Sequence, residues 1–477
     1  MKILLLRVPL SHPITADMSD MFEEDAGVYP PLGLLYLHAS LRQIRPRDEV
    51  KILDCMAEGI DLNSLTARLL NYKPHIIGIT VLTFHLIDVY RCAAEIKRNL
   101  PDTILILGGP HAHLFPKEVL SNPNIDYVIT GEGEISFPAL ISHLESSSEP
   151  PTIPGVFYRS AEGDIKGAPP TLIKDLDSLA PIDFTSIKPE RYRPVMEKEL
   201  SAMLMSSRGC PYKCIYCDRP HLGNIFRPHS PKRVIEDIKR AMECGIKSFQ
   251  FFDDTFTVVK SRVEDICRMI TEQRLDIAFS LRARVNTVDE GLLISLKKAG
   301  CRRISFGVEA GSNRMLKSLR KSITIEEVMR AFQLCKKTGI ETLADFIIGG
   351  PDQTKKDVEE TIDFALKLDP SYAQFTVMTP YPGTDLYQMG MDRGLIRTDY
   401  WRDFARNPSA DFQTPVWEEH LKRDELVELF HHAYRRFYRR PRYILRELFK
   451  VRSFDELYRK ARIGLKAISL RSTEGRR

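Results

Sequence analysis

Apolar positions recur along this chain in two periods that take turns. Lys2–Val8 is a nearly unbroken apolar run, which predicts a buried strand. From Pro31 to Gln43, Leu32, Leu34, Leu35, Leu37 and Leu41 return to one face, which predicts a helix. The exchange continues with strands at Val50–Leu53, Ile76–Val81, Thr103–Leu107 and Tyr127–Ile129, and helices at Leu62–Leu70, Ile87–Leu100 and Ser136–Leu144. Glycines fall at strand ends, in Gly108-Gly109-Pro110 and Gly131-Glu132-Gly133-Glu134. Short apolar strands alternating with helices predict an α/β fold, a doubly wound (Rossmann-like) parallel sheet. Ligands in such sheets bind beyond the carboxyl ends of the strands, here at the glycine turns.

Glu149–Thr185 breaks both periods with Pro150-Pro151, Pro154-Gly155, Pro169-Pro170 and Pro181, and reads as a connector. It carries a short hairpin beginning at Gly155–Tyr158 and turning at Ala161–Asp164. A second alternation follows, with strands at Ala202–Ser206, Ser248–Phe252, Ile277–Arg282, Arg303–Val308, Thr342–Ile348 and Tyr372–Met378. Helices at Pro231–Cys244, Arg262–Arg274, Glu290–Ala299, Thr324–Thr338 and Lys356–Leu368 lie between them. Successive βα steps of this kind predict a partial (βα)6, TIM-like barrel with its site at the strand carboxyl ends. Three amphipathic helices, Asp424–Tyr438, Pro441–Phe449 and Phe454–Ile468, complete the chain. The expected division is a sheet domain at 1–148, a linker at 149–195, a barrel core at 196–415 and a helical region at 416–477.

Composition refines this picture. At 477 residues, 43% of them hydrophobic, the chain has ample material for several cores. Its apolar runs are too short to span a membrane, and Met1–Leu6 lacks a signal peptide's apolar core, so a cytoplasmic protein is expected. The net charge of +5 is uneven: Leu421–Arg477 holds 17 Lys+Arg against 7 Asp+Glu. Arg435-Arg436, Arg439-Arg440 and Arg442 form a dense basic face there. A solvated helix surface, peripheral docking on an anionic membrane and binding of a phosphorylated substrate all fit that face. Nucleic-acid binding does not, because no recognisable RNA-binding module accompanies it.

Of nine cysteines, only Cys210, Cys214 and Cys217 cluster, in Ser207-Arg208-Gly209-Cys210-Pro211-Tyr212-Lys213-Cys214-Ile215-Tyr216-Cys217. Three thiolates can hold a [4Fe–4S] cluster and leave one iron without a protein ligand. A zinc knuckle is the competing reading, but zinc usually takes four ligands and no second cysteine pair follows. C-x3-C-x2-C with an aromatic residue before the third cysteine resembles the signature of the radical S-adenosylmethionine (SAM) enzymes. The resemblance implies that the open iron binds SAM and that one electron splits it to methionine and a 5′-deoxyadenosyl radical.

The N-terminal turns resemble the cobalamin-binding domain attached to many radical SAM cores. The matching pieces are Gly78-Ile79-Thr80-Val81-Leu82, Gly108-Gly109-Pro110-His111-Ala112-His113 and Asp126–Glu134. Expected cobalamin contacts are Thr80, Leu82, Gly108, Gly109, Gly131, Glu132 and Gly133. The D-x-H-x-x-G motif of histidine-ligated cobalamin proteins is absent; the nearest string, Asp54–Gly59, has Met56 at the histidine position. The cobalamin is therefore expected without a histidine lower ligand, although His111 and His113 are near enough in sequence to approach it or to bond backbone. In the barrel, Asp253 and Asp254 are expected at the SAM amino group and Arg284 at its carboxylate, since Arg offers a bidentate fork. Glu309 is expected at the ribose, Gly349 and Gly350 beside the adenine, and Tyr216 packed on adenine or cluster. Gly350-Pro351-Asp352 departs from the commoner Leu-Pro-Gly.

The resemblance covers nearly the whole chain and is to the class B, cobalamin-dependent type. It implies methylation of an unactivated carbon, or of phosphorus, in a small-molecule or lipid substrate, with a flavodoxin- or ferredoxin-type electron donor. Ring closure or rearrangement, as in the porphyrin-ring cyclases, is the second enzyme reading. A cobalamin-binding sensor or carrier is the reading without catalysis. Methylthiolation would require a further cysteine triad, and the N-terminal part holds only Cys55 and Cys92.

Overall fold

The computed structural model describes residues 1–14, 28–192, 199–218 and 222–449. Five parallel strands, β1 (Lys2–Arg7), β2 (Glu49–Asp54), β3 (Ile76–Thr80), β4 (Ile104–Gly108) and β5 (Tyr127–Ile129), lie in the order 2-1-3-4-5. The helices α1 (Leu32–Ile44), α2 (Leu62–Tyr72), α3 (Leu86–Asn99) and α4 (Gly133–Ser146) cover them. Both faces are sealed by apolar side chains: Leu4, Leu6, Ile77 and Ile79 pack on α2 and α3, while Ile3, Leu5, Ile76 and Ile106 pack on α1 and α4. Burial on both faces is why these strands read as apolar runs rather than alternations.

The connector departs from expectation. Its hairpin, β6 (Val156–Arg159) and β7 (Ile165–Gly167), adds antiparallel to the β5 edge, making a seven-stranded mixed sheet. The first sheet thus runs past residue 148. The short helices Pro110–Leu114 and Pro116–Ser121, which periodicity did not reveal, each begin at a proline, where the missing N–H costs nothing.

The second sheet holds β8 (Ser201–Leu204), β11 (Ser248–Phe251), β12 (Ala278–Ala283), β13 (Cys301–Glu309), β14 (Glu341–Ile348) and β15 (Tyr372–Val377), all parallel and in chain order. A two-residue ladder, β9 (Ser207–Arg208) with β10 (Arg227–Pro228), closes the cysteine loop. Helices α5 (Pro231–Glu243), α6 (Lys260–Glu272), α7 (Glu290–Lys298), α8 (Ile325–Thr338) and α9 (Lys355–Leu368) cover the outside. Outward strand positions such as Phe249, Leu281, Phe306, Phe346 and Phe375 form the largest core with them.

The C-terminal helix α10 (Arg423–Tyr438) is part of the barrel rather than an appendage. It lies against the last strand, where the Tyr434 hydroxyl accepts from Phe375 N–H at 3.1 Å and donates to its carbonyl at 3.2 Å. The Tyr438 hydroxyl does the same for Ala373, at 3.2 and 2.8 Å. Two phenols thereby satisfy the backbone groups that a seventh strand would have taken. The basic face is partly consumed inside the chain: Arg436 pairs with Glu359 and Asp363, and Arg440 with Asp369. The helix expected at Phe454–Ile468 lies outside the described residues.

Candidate active site

The cysteine loop springs from the carboxyl end of β8. Gly209 has φ +78°, and a Cβ there would sit 2.3 Å from the Ile225 carbonyl, so only glycine lets the two arms of the loop approach. Asp253, fully buried after β11, accepts from Ser206 N–H (2.7 Å), Ser206 Oγ (2.6 Å) and Ser207 Oγ (2.5 Å). Burial raises its pKa, against the pull of the serine hydrogen bonds. The structure thus gives Asp253 a different task from the one expected of it: its carboxylate buttresses the loop from below. Asp254, the other member of the pair, is exposed at the strand end.

Arg284, at the end of β12, reaches Cys214 Sγ with Nη1 (3.6 Å), donates from Nη2 to the Lys321 carbonyl, and stacks 3.9 Å over the Tyr212 ring. Its Nε is buried without a partner. Cys210 Sγ lies 3.8 Å from Thr255 Oγ1. Glu309 ends β13 at φ +71° and pairs with Lys321 Nζ at 2.6 Å; the same ammonium donates to the Tyr216 hydroxyl at 3.2 Å. Gly349 turns away from this group: a Cβ there would strike Leu426 of α10 at 2.4 Å, whereas Gly350 faces Met378. The open face of Gly349 therefore admits a leucine side chain.

The donor set fits an iron–sulfur cluster better than a single ion. Three sulfurs around one zinc would stand about 3.8 Å apart, given Zn–S bonds of about 2.3 Å. Here the three sulfurs are not all within 4.8 Å of one another, while the one such trio among the described residues, Asp352, Glu419 and His420, lies elsewhere. Asp352 and His420 are exposed and Glu419 half-buried, and Arg393 pairs with both acids. Arg284 supplies positive charge where thiolates would gather.

Opposite the loop, the glycine turns bound a cleft of about 320 Å³ between the two sheets. Thr80, Gly108, Gly109, Gly131, Glu132 and Gly133 all line it. Leu82 does not; it is 43% exposed and points elsewhere. Apolar side chains face one another across the cleft, Leu34, Ile79 and Phe137 on one wall and Met203, Met205 and Phe252 on the other. A flat, largely apolar macrocycle such as corrin fits that slot. Gly109 has φ +97°, and a Cβ would meet Thr80 Oγ1 at 2.9 Å and the Val81 carbonyl at 3.0 Å. Gly109→Ala is expected to cost about 1–3 kcal/mol in backbone strain alone and to lower corrinoid retention, measured by absorbance after gel filtration. The histidines are otherwise engaged: His111 is buried against Thr83 Oγ1 (3.0 Å), and His113 Nδ1 accepts from Gly131 N–H (3.0 Å).

One feature of the cleft escaped the sequence reading. Glu132 Oε1 pairs with Arg208 (2.7 Å), and its Oε2 pairs with Arg227 (2.7 Å) and accepts from Ile173 N–H (2.7 Å). Arg208 also takes Glu134 at 2.5 Å and stacks 4.9 Å over Tyr36. Burial would raise the Glu132 pKa, but Arg227 and Arg208 hold it below the ordinary carboxylate value. Glu132 is thus committed to an ionic clasp between the glycine turn and the arginine that precedes Gly209-Cys210. The Glu-x-Glu spacing and the neighbouring arginine were visible, but nothing local joined them.

Asp345, on the inner face of β14, is pushed up to about 7 by burial and by the Glu309 charge, with Arg282 and Lys321 opposing. As pH rises from about 4 to 7, the unfolded chain loses this proton first and stability falls. Asp345→Asn is expected to raise the melting temperature more at pH 7.5 than at pH 5, and equal shifts at both would contradict the assignment.

A three-thiol loop at the mouth of a partial parallel barrel, faced by a largely apolar cleft along the glycine turns of a doubly wound sheet, defines a B12-binding radical SAM enzyme, with [4Fe–4S], SAM and cobalamin as cofactors. Comparison with known proteins agrees. The Radical SAM superfamily matches residues 204–365 and the B12 binding domain residues 18–141. The uncharacterised methyltransferase PH0819 of Pyrococcus horikoshii is 36% identical over 89% of this chain and 91% of its own length, so the chain belongs to that family of radical SAM proteins. The anaerobic magnesium-protoporphyrin IX monomethyl ester cyclase of Rubrivivax gelatinosus is 28% identical over 87% of this chain and 75% of its own. The fold is that of the radical SAM methyltransferase TsrM from Kitasatospora setae, solved with cobalamin and a [4Fe–4S] cluster, at TM-score 0.75 and 17% identity over 98% of both chains.

Proposed function

We propose that the chain methylates an unactivated carbon, or a phosphorus, of a small-molecule or lipid substrate. When bound, the cluster and cobalamin supply one-electron cleavage of SAM and carriage of a methyl group, chemistry that polar side chains cannot provide. The observation that carries the reading is a shared wall: Met203, Met205, Phe252 and Arg208 line the glycine-turn cleft and belong to the barrel strands and loop that present the cysteines. A substrate held inside the barrel would face both cofactors.

In this reading Cys210, Cys214 and Cys217 hold the cluster, and Arg284 offers its unpartnered Nε to the SAM carboxylate. Asp254 takes the amino group in place of the committed Asp253. Glu309, oriented by Lys321, accepts from the ribose, with Tyr216 and Gly350 beside the adenine. Thr80, Gly108, Gly109, Gly131 and Gly133 cradle the corrin. The clasp of Glu132 with Arg208 and Arg227 holds the two walls together and limits water entry. A low-potential flavodoxin or ferredoxin delivers the electron. We place the enzyme in the cytoplasm; exposed Ile444, Leu445, Leu448 and Phe449 beside Arg442 support a peripheral contact with anionic membrane.

The test is anoxic reconstitution followed by assay with SAM labelled in its methyl group. Methylation requires 5′-deoxyadenosine, S-adenosylhomocysteine and label in the product. Ring closure, the reading favoured by the likeness to the Rubrivivax cyclase, gives 5′-deoxyadenosine with no label transferred.

A further inference from the structure

The inner face of the barrel is divided. At the carboxyl ends of β8 and β11 the side chains toward the cleft are apolar, Met203, Met205 and Phe252, with Gln250 in register with Met203. On β12 to β15 the inward positions include polar ones, with Arg282 beside Ser305 and Asp345 beside Gln374 in register. Arg282 and Thr376 are exposed although their chain neighbours Leu281, Ala283, Phe375 and Val377 are buried. Exposure of inward residues in mid-strand means that the lumen is open space rather than packed core.

Arg282 stacks 4.3 Å over Phe252, whose ring also lines the cleft. Among the described residues no carboxylate comes within ion-pair distance of Arg282, and Asp345 makes no hydrogen bond or ion pair. A fixed, unpaired guanidinium inside an open cavity is an anion site in waiting, because its fork matches carboxylate and phosphate oxygens.

We infer that the substrate carries an acid group, carboxylate or phosphoryl, that docks on Arg282, while its hydrocarbon part lies toward Phe252 and the cleft. This rests on the methyltransferase reading and adds the substrate class to it. Asp345, whose carboxyl burial pushes up and the Arg282 charge pulls down, stands in the same lumen beside Gln374.

Crystals of the SAM-loaded holoenzyme soaked in selenate test the anion site without turnover. Selenium anomalous density beside Arg282 is expected in the wild type and in Arg282→Lys, and its loss in Arg282→Gln. Wild-type crystals without that density overturn the inference even if a variant fails to fold. In solution, methylphosphonate and acetate are expected to change the rate of 5′-deoxyadenosine release, and the half-effect concentration should rise at least ten-fold in Arg282→Gln. The tighter of the two names the headgroup, and N-methylacetamide, the neutral control, should show no dependence on Arg282. An anion effect equal in wild type and Arg282→Gln would overturn the assignment. Absence of any 5′-deoxyadenosine from the wild type would instead sink the functional reading, and the selenate result would still stand or fall separately.

Discussion

Cys214→Ala is expected to leave the protein folded but without its cluster, with iron falling from about four per chain to near zero after anoxic reconstitution. The residue is the middle cysteine of the trio, buried, and the one whose sulfur receives Arg284. Two remaining thiols cannot retain a cubane, and 5′-deoxyadenosine release should drop at least a thousand-fold. The fold should survive because the loop is anchored independently: Asp253 holds Ser206 and Ser207, and Ile215 N–H reaches the Leu319 carbonyl at 3.3 Å. Iron and sulfide analysis beside circular dichroism separates the two effects. Full iron content in the alanine variant would remove this loop from the chemistry.

Glu132→Gln should be the most damaging single change away from the cysteines. The Glu132 side chain is 1% exposed and faces two guanidiniums that are themselves 4% and 7% exposed. Neutralising it leaves buried Arg227 without a carboxylate and Arg208 with Glu134 alone, a loss of about 3–5 kcal/mol for a broken buried pair. The Glu132 pKa is lowered in the fold, so its stabilisation is present above the ordinary carboxylate pKa and is lost as pH falls through the lowered value. The melting temperature of the wild type should therefore fall on acidification, and that of Glu132→Gln should fall less. Because the clasp joins the glycine turn to the residue before Gly209-Cys210, corrinoid and iron should be lost together. Loss of corrinoid alone would mean that the two sites are not mechanically joined.

Much of the fold was readable from the chain because its cause is local. Strands buried on both faces announce themselves as apolar runs, and the helices between them keep their 3.6-residue period, so both alternations survived with ends shifted by up to three residues. The cysteine triad and glycine turns were readable because their spacing is itself the chemistry. What stayed hidden depends on contacts between distant residues. Asp253 looks like a ligand beside Asp254 until Ser206 and Ser207 fold over it. Gly349 looks like room for adenine until Leu426, far along the chain, fills it. The hairpin after Gly155 was visible as a turn, but its attachment to β5 was not, since an edge accepts any strand that reaches it.

The paired phenols of Tyr434 and Tyr438 have a practical consequence. A barrel of six strands ends in a raw border, and raw borders recruit their counterparts from other molecules. A catalytic fragment trimmed before residue 416 would keep every cysteine yet expose the Ala373 and Phe375 amides to its neighbours. Such a fragment should precipitate through intermolecular sheet growth, so α10 acts as the enzyme's own solubility tag.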